Sequence, residues 1–407
     1  MMPDTLNVNI VSRLALEGNG KLEAMRLMEK SEYQKIGPLS AWDDPMLMLG
    51  IQNLPTSFKF GEEAMTMKMI GISQNIPYAG EKGFSRKAAL AKAMASGYDT
   101  RESELEIVTQ AGNLYMTLYY RQKALELMQA QRELQQDIVS STAAKLISNQ
   151  ATQADLSAVQ ADLWRLDSDI LSAEQEVDEA YDKLCGITGT INSSHIPYLQ
   201  KPDMGTPVSV DNWLDNAKTN YPPLKRAQNL SESYHYSAAA AKRMRWPMLG
   251  FSASYGIRSG SSTDPMTGEI MKWDNMVSFQ ANISLPIFAG RQQRNMALSM
   301  SSMSRSYESE NAQIWRDTEA ELRSLYHQYQ NLARSLALYT KHILPADEDA
   351  YNSALAGFSS NRTSLSNLIS VALDTYRDRL SANQLEYQLS QTIVMANRYT
   401  INIDGLK

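Results

Sequence analysis

Methionine is the residue with soft chemistry that this sequence places in a pattern. Of its 22 methionines, Met46 and Met48 share parity with Gly50 and Gln52, and Met67 and Met69 with Gly71, Ser73 and Asn75. Met248 falls in step with Ser252 and Ser254, and Met276 with Ser278 and Gln280. Each therefore lies on the polar side of a run that alternates apolar and polar residues. Thioether sulfur suits Cu(I) and, by the same softness, Ag(I). Met46, Met48, Met67, Met69, Met248 and Met276 are thus candidate contacts for a soft monovalent metal ion. Methionine is equally an adaptable filler where side chains crowd, and the pattern alone leaves both readings open.

The other residue types that do chemistry form no set. His195, His235, His327 and His342 show neither an HExxH spacing nor any other paired spacing. The stretch Gly80-Glu81-Lys82-Gly83-Phe84-Ser85-Arg86-Lys87 lacks the Lys-Ser/Thr that must follow the last glycine of a phosphate-binding loop, and reads instead as the basic start of a helix after a strand. Cys185, within Leu184-Cys185-Gly186, reads as a small buried residue at a helix end closed by Gly186. A lone cysteine excludes an internal disulfide and any cysteine-based metal cluster. No nucleophile stands beside a base, so the expectation is a protein that is not an enzyme and needs no cofactor.

At 407 residues with a net charge of −6 and a pI near 5.5, the chain has no basic surface for nucleic acid, and none is expected as a partner. Hydrophobic residues make up 43% and the mean hydropathy is −0.39. No run of about 18 apolar residues offers a transmembrane helix. The first residues carry neither a signal-peptide pattern nor a lipid-modified cysteine, as expected of a mature or trimmed chain. A transmembrane strand needs only about 10 alternating residues and barely raises mean hydropathy.

The elements that carry the methionines recur. Pro45-Met46-Leu47-Met48-Leu49-Gly50 returns as Pro247-Met248-Leu249-Gly250, and Ile76-Pro77-Tyr78-Ala79-Gly80 as Leu285-Pro286-Ile287-Phe288-Ala289-Gly290, about 210 residues later. After each comes a long helical run, a polar break and a second helical run. Leu156, Val159, Leu163, Leu166, Ile170, Ala173 and Val177 step by 3 and 4, as do Leu322, Leu325, Tyr329, Leu332, Leu336, Tyr339 and Ile343. Such spacing is the seam of a coiled coil. Residues 82–147 hold no proline, enough for a continuous helix of roughly 100 Å.

The strands are equally plain. In 249–258 Leu249, Phe251, Ala253, Tyr255 and Ile257 alternate with Gly250, Ser252, Ser254, Gly256 and Arg258. In 276–285 Val277, Phe279, Ala281, Ile283 and Leu285 alternate with Ser278, Gln280, Asn282 and Ser284. Residues 259–275 between them read as a polar loop. A less regular pair, 46–53 and 66–76, joined through 55–65, precedes the first helices. Four strands cannot close a barrel, and open edges are not tolerated in lipid. If the apolar face meets lipid, the chain must oligomerise, and three copies of four strands supply twelve. A sheet packed on helices in a water-soluble coiled-coil scaffold is the alternative.

This order of strand, strand, long helix, break and helix, run twice, resembles the TolC family of outer-membrane efflux proteins. The strand-to-helix junctions from Gln74 to Gly80 and from Leu285 to Arg291, and the helix-turn tips at 149–160 and 360–372, carry the likeness. The opening Trp42-Asp43-Asp44-Pro45, through Ile51-Gln52-Asn53-Leu54-Pro55, is similar to the heavy-metal (cobalt–zinc–cadmium and copper–silver) subgroup. The resemblance implies a mainly α fold with a membrane β-barrel portion, in a homotrimer. Residues 46–76 and 248–286 would supply a twelve-stranded outer-membrane barrel. Residues 82–186 and 288–400 would form a periplasmic α-helical barrel, with 1–45, 187–247 and 401–407 as an equatorial connector. Such a duct would sit in the lipid of a Gram-negative outer membrane, meet a periplasmic adaptor protein and an inner-membrane pump, and conduct passively. Metal ions, with copper or silver favoured, are the expected cargo. A drug or type I secretion duct of the same fold is the alternative.

The tips would meet the adaptor and gate the aperture. Thr152 precedes Asp155 by three and Ser364 precedes Asn367 by three, a spacing that caps a helix start. The family's second tip carries two acidic residues around the closed aperture. The matching positions here are Asn367 and Ser370, neither charged. Asp155 remains in the first tip, Asp374 lies about a turn further along the second, and Arg362 becomes the first gate candidate.

Overall fold

The computed structural model describes residues 5–190, 196–203, 205, 209–360 and 362–401. His195, and parts of the expected connector (1–4, 191–195, 204, 206–208 and 402–407), lie outside the described residues, as does position 361 of the second tip.

A two-residue strand, β1 (Thr5–Leu6), leads into helices α1 (Val8–Gly18), α2 (Gly20–Gln34) and α3 (Ile36–Ser40). Strands β2 (Met46–Gln52) and β3 (Met67–Ile76) precede the helices α4 (Glu81–Ile147) and α5 (Gln153–Thr188). The short strand β4 (Tyr198–Leu199) and helices α6 (Val210–Asn220) and α7 (Pro222–Arg243) lead to the second half. There β5 (Leu249–Arg258), β6 (Ser261–Thr263), β7 (Ile270–Lys272) and β8 (Met276–Ile283) come before α8 (Gln292–Leu338), a π-turn (Tyr339–Ile343), α9 (Leu344–Ser359) and α10 (Leu365–Thr400). The chain divides into two compact units. One holds Met1–Arg26, Asp99–Leu224 and Gln313–Lys407, the other Leu27–Tyr98 and Lys225–Ala312.

The second unit carries the sheet, in the order β2-β3-β5-β8 with every pair antiparallel. Beside it, α7 lies close to the first turns of α4 and α8 because the contact is built of small residues. Ala88, Ala238, Ala240, Ala241 and Ala297 are buried, Ser233 donates to the carbonyl of Ala88 at 2.8 Å, and Ser304 donates to that of Ser231 at 3.0 Å.

In the first unit, β1 pairs in parallel with β4. The Tyr115 hydroxyl, fully buried, lies 2.6 Å from the carbonyl of Gln200 and 3.0 Å from that of Leu6, the strand ends it ties to α4. Burial raises its pKa, so it stays a donor at any ordinary pH. Around it lies a core that includes Leu6, Val11, Leu118, Val177, Leu184 and Val394.

Four details correct the expectations. Residues 259–275 are not wholly loop, since β6 and β7 pair as a short ribbon. The helix of Cys185 does not end at Gly186. It runs to Thr188 and closes at Gly189, whose φ of 64° and N–H to the Cys185 carbonyl make the left-handed cap. Cys185 itself is buried as expected, and burial pushes its thiol pKa up. The seam expected to run unbroken to Ile343 is interrupted by the π-turn. Pro345 has no N–H to offer the carbonyl of Lys341 and its ring crowds that carbonyl, and Leu344 bonds back five residues to Tyr339. Finally, Ser364 accepts from Asn367 N, without the return bond that completes the first tip.

Candidate functional site

The sheet register sets the methionines in place. Residues directly opposite in antiparallel strands point to the same side. Met46 pairs with Ser73, in a row with Ser252 and Gln280. Met48 pairs with Gly71, in a row with Ser254 and Ser278. Gly50, Met69, Gly256 and Met276 make the next row, and Gln52, Met67 and Arg258 the last. Five of the six methionines therefore share one polar face. Met248 sits just outside β5, its N–H held by the Ser284 hydroxyl at 2.9 Å.

The spacing forms a row of soft donors and not a closed coordination set. Where a methionine meets the next strand, its neighbour is glycine, serine, Gln52 or Arg258, and Met69 and Met276 are separated by Gly256. Met67 is only 6% exposed because its side chain lies over Gly256, where a Cβ would collide with the thioether sulfur.

The opposite face is apolar and open. Leu47, Ile72, Ala253 and Phe279 form its middle row, flanked by Leu49, Ile70, Tyr255 and Val277 on one side. Phe279 is 80% exposed and Leu49 71%. Monomeric soluble proteins rarely expose a large contiguous apolar patch, and such patches mark contact with a partner or a membrane. The polar members of this face stand toward its ends. Lys68 lies over the ring of Phe60 at 5.0 Å, and Gln74 donates to the carbonyls of Asp43 and Asn75.

The helix tips form the second candidate site. α4 closes on Asn149, with φ 56°. Gln150 N reaches the carbonyl of Lys145 at 2.8 Å and Asn149 N that of Leu146 at 3.1 Å, the paired bonds of a Schellman ending. Thr152 then begins α5 with a full capping box, its N–H and hydroxyl donating to Asp155 Oδ2 at 2.8 and 2.7 Å while Asp155 N donates back to the hydroxyl. These bonds hold the Asp155 carboxyl below the usual range, that from the Thr152 N–H contributing most. In the second tip Ser364, Asn367 and Ser370 are exposed, and so is Arg362, whose N–H bonds the carbonyl of Gly357 at 2.8 Å. Among the described residues no acidic side chain pairs with Arg362.

A lowered carboxyl pKa contributes stability that is present above the unfolded-state value and is lost as pH falls through the folded value. Amide protection at 153–155 should therefore decline below about pH 4, where an ordinary Asp takes up its proton. Protection at 365–367 should not change there, since Ser364 and Asn367 do not titrate. Hydrogen exchange at matched intrinsic rates checks this, and equal acid sensitivity of both tips would rule it out.

Two tertiary features were not readable in advance. Both hairpins share one core of Ile138, Val159, Ala354, Phe358, Leu368 and Ala372. Lys145 also crosses between them, donating to the Phe358 carbonyl at 2.6 Å with its ammonium 3.5 Å from the centre of that ring. Further along, Asp374 pairs with Arg377 at 3.6 Å. Asp347 on α9 has its carboxyl pKa raised, by burial first and then by a hydrogen bond to Asp378. The acidic groups of this hairpin thus stand back from its tip.

No helix among the described residues is long and apolar enough to cross a membrane. No group of three or more His, Cys, Asp or Glu able to hold a metal ion occurs among the described residues. No protein-family model matches the sequence, and no curated protein matches it either. Solved structures do match. CusC, described for the conformational changes accompanying folding and transmembrane channel formation, superposes with a TM-score of 0.78 over 97% of this chain and 91% of its own at 14% identity. The outer-membrane channel OprN gives 0.77 over 97% and 89% at 13% identity. The outer membrane protein VceC of Vibrio cholerae gives 0.75 over 97% and 96%, also at 13%. At these identities the likeness establishes the fold, which is that of these outer-membrane channels.

Proposed function

We propose that this chain is the outer-membrane exit duct of a tripartite efflux pump, a passive channel with no catalytic step. One observation carries the reading. The sheet has an open apolar face and a polar face, and among the described residues its edge strands β2 and β8 have no further partner. Such a sheet is stable in lipid only when closed by further copies, and three copies close twelve strands. The likeness to outer-membrane channels supports the same arrangement. In this reading 46–76 and 248–286 cross the Gram-negative outer membrane, and 82–186 and 288–400 form the periplasmic tube. Residues 1–45, 187–247 and 401–407 form its collar. Thr152, Asp155, Arg362, Ser364, Asn367 and Ser370 meet a periplasmic adaptor that links the duct to an inner-membrane pump.

The test is the mass of the detergent-purified protein by light scattering, corrected for bound detergent. A mass near three chains, with precipitation when detergent is removed, agrees with the duct. A monomer that stays soluble without detergent would return the chain to the scaffold class.

The cargo reading rests on the methionine row and on the likeness of the opening segment to heavy-metal ducts. It holds that soft monovalent ions pass along the polar face in weak, successive thioether contacts. Replacing Met46, Met48, Met67 and Met69 together by leucine keeps side-chain volume nearly constant and removes the soft donors. The expected result is lower copper and silver tolerance in cells that depend on this duct, with export of organic drugs unchanged. Unaltered metal tolerance would leave methionine as filler and favour a drug or secretion duct.

A further inference from the structure

At the end of the sheet where β3 and β5 meet their helices lies a cavity of about 550 Å³. Trp42, Tyr78, Trp246, Ile76 and Leu249 line it, together with Lys82. Trp42 and Trp246 are 59% and 62% exposed, a costly way to leave two indoles unless something covers them. Each is held in place. The Gln74 amide fastens the segment after Trp42 through the Asp43 carbonyl at 2.8 Å, and Trp246 N bonds the Arg243 carbonyl at 3.0 Å.

Cations outnumber acids around this end of the sheet in a protein whose net charge is −6. Lys82 lines the cavity, exposed Arg243 lies beside Gly80 of its wall, and exposed Arg245 immediately precedes Trp246. Arg243 stacks over Phe84 at 5.5 Å. Arg291 and Arg294, both exposed, follow from the same end of β8. Against them stand Glu81, which is buried and bonded by Ser85 at 2.8 Å, and Asp43 and Asp44 beside Trp42. Among the described residues Lys82 and Arg245 have no acidic partner. The cavity is also continuous with the open apolar face, since Ile76 and Leu249 belong to both. Indoles at the edge of an apolar band, with cations just beyond it, form the pattern that meets a lipid headgroup region.

We propose that this cavity is a binding site for one anionic phospholipid of the leaflet facing the helices. The acyl chain lies along Ile76 and Leu249, the indoles of Trp42 and Trp246 flank the glycerol region, and Lys82 with Arg245 neutralises the phosphate. The proposal rests on the reading of the sheet as lipid-facing.

Native mass spectrometry of the delipidated, detergent-solubilised protein, titrated with phosphatidylglycerol or phosphatidylcholine, tests it. The intact protein should bind phosphatidylglycerol about thirtyfold more tightly, the size of effect expected of two cations near a charged headgroup. Lys82→Gln with Arg245→Gln should erase that preference while leaving the oligomer intact, and Trp246→Ala should weaken both lipids. Equal binding of the two lipids by the intact protein, or an unchanged preference in the double variant, would overturn the site. So would full competition by inorganic phosphate, which marks a plain anion site. Loss of the oligomer in Trp246→Ala would make the cavity the seat of a second copy instead. Any of the lipid results, in an intact protein that is a detergent-dependent trimer, leaves the duct reading standing. A detergent-free soluble monomer removes that reading whatever the lipids do.

Discussion

Phe279→Arg should abolish stable insertion of the sheet into lipid, while Gln280→Arg one residue away should be tolerated. Phe279 lies in the middle row of the apolar face, and Gln280 on the polar face beside Ser252. Both side chains are exposed in the chain, so neither change opens a hole in its core. A charged side chain facing lipid at the midplane costs roughly 2–4 kcal/mol, repeated in every copy of a closed barrel. The same charge on a water-lined face costs little. Urea titration of protein folded into phospholipid vesicles measures both. If the two variants lose the same stability, the faces are not inequivalent and the sheet does not separate lipid from water.

Leu368→Ala should be the most damaging single truncation at the helix tips. Its side chain is fully buried in the core that it forms with Ile138, Val159, Ala354, Phe358 and Ala372, a core drawn from both hairpins. Removing a buried leucine side chain costs about 2–5 kcal/mol, depending on how far the surroundings collapse. A lower melting temperature, with early protease cleavage confined to the tips, is the expected outcome. Asn367 and Ser370, one and two positions away, are exposed. Alanine there should leave stability nearly unchanged and report instead on docking. A melting temperature for Leu368→Ala within error of the parent would mean that the tips are not held by this shared core.

The elements that the sequence made legible are those decided by local spacing. β5 has the expected limits because Leu249 to Arg258 alternates without a fault, and α4 ends at Ile147 where the polar break begins. The capping box of Thr152 and Asp155 is a contact across three residues, and it formed as spaced. The methionine parity also became a single face, because register in antiparallel pairs preserves sidedness.

What was not legible depended on distance or on competing local signals. Lys145 and Phe358 are 213 residues apart, and nothing in either neighbourhood announces the contact. The proximity of Asp347 on α9 and Asp378 on α10, which helps raise the Asp347 pKa, was silent in the same way. Gly186 suggests a helix stop, but the backbone runs on to close at Gly189, and Thr188 between them donates to the Leu184 carbonyl at 2.9 Å. β6 and β7, at three residues each, are too short to show a period. Pro345 was visible, but the leucine pattern leading up to Ile343 hid the interruption it causes.

That interruption works as a phase shifter. An α-helix turns about 100° per residue, and a π-turn takes up one residue more than the α-helical turn it replaces. Without it, Ala354 and Phe358 would emerge on nearly the same side as Leu322 and Leu325. With it, the stripe beyond the turn is rotated by about 100°. Leu322 and Leu325 pack with Trp213, Leu214 and Ala217, and Ala354 and Phe358, further along, with Ile138, Val159 and Leu368. A single winding strut thus addresses one set of neighbours above the turn and another below it, and one proline supplies the quarter-turn offset between them.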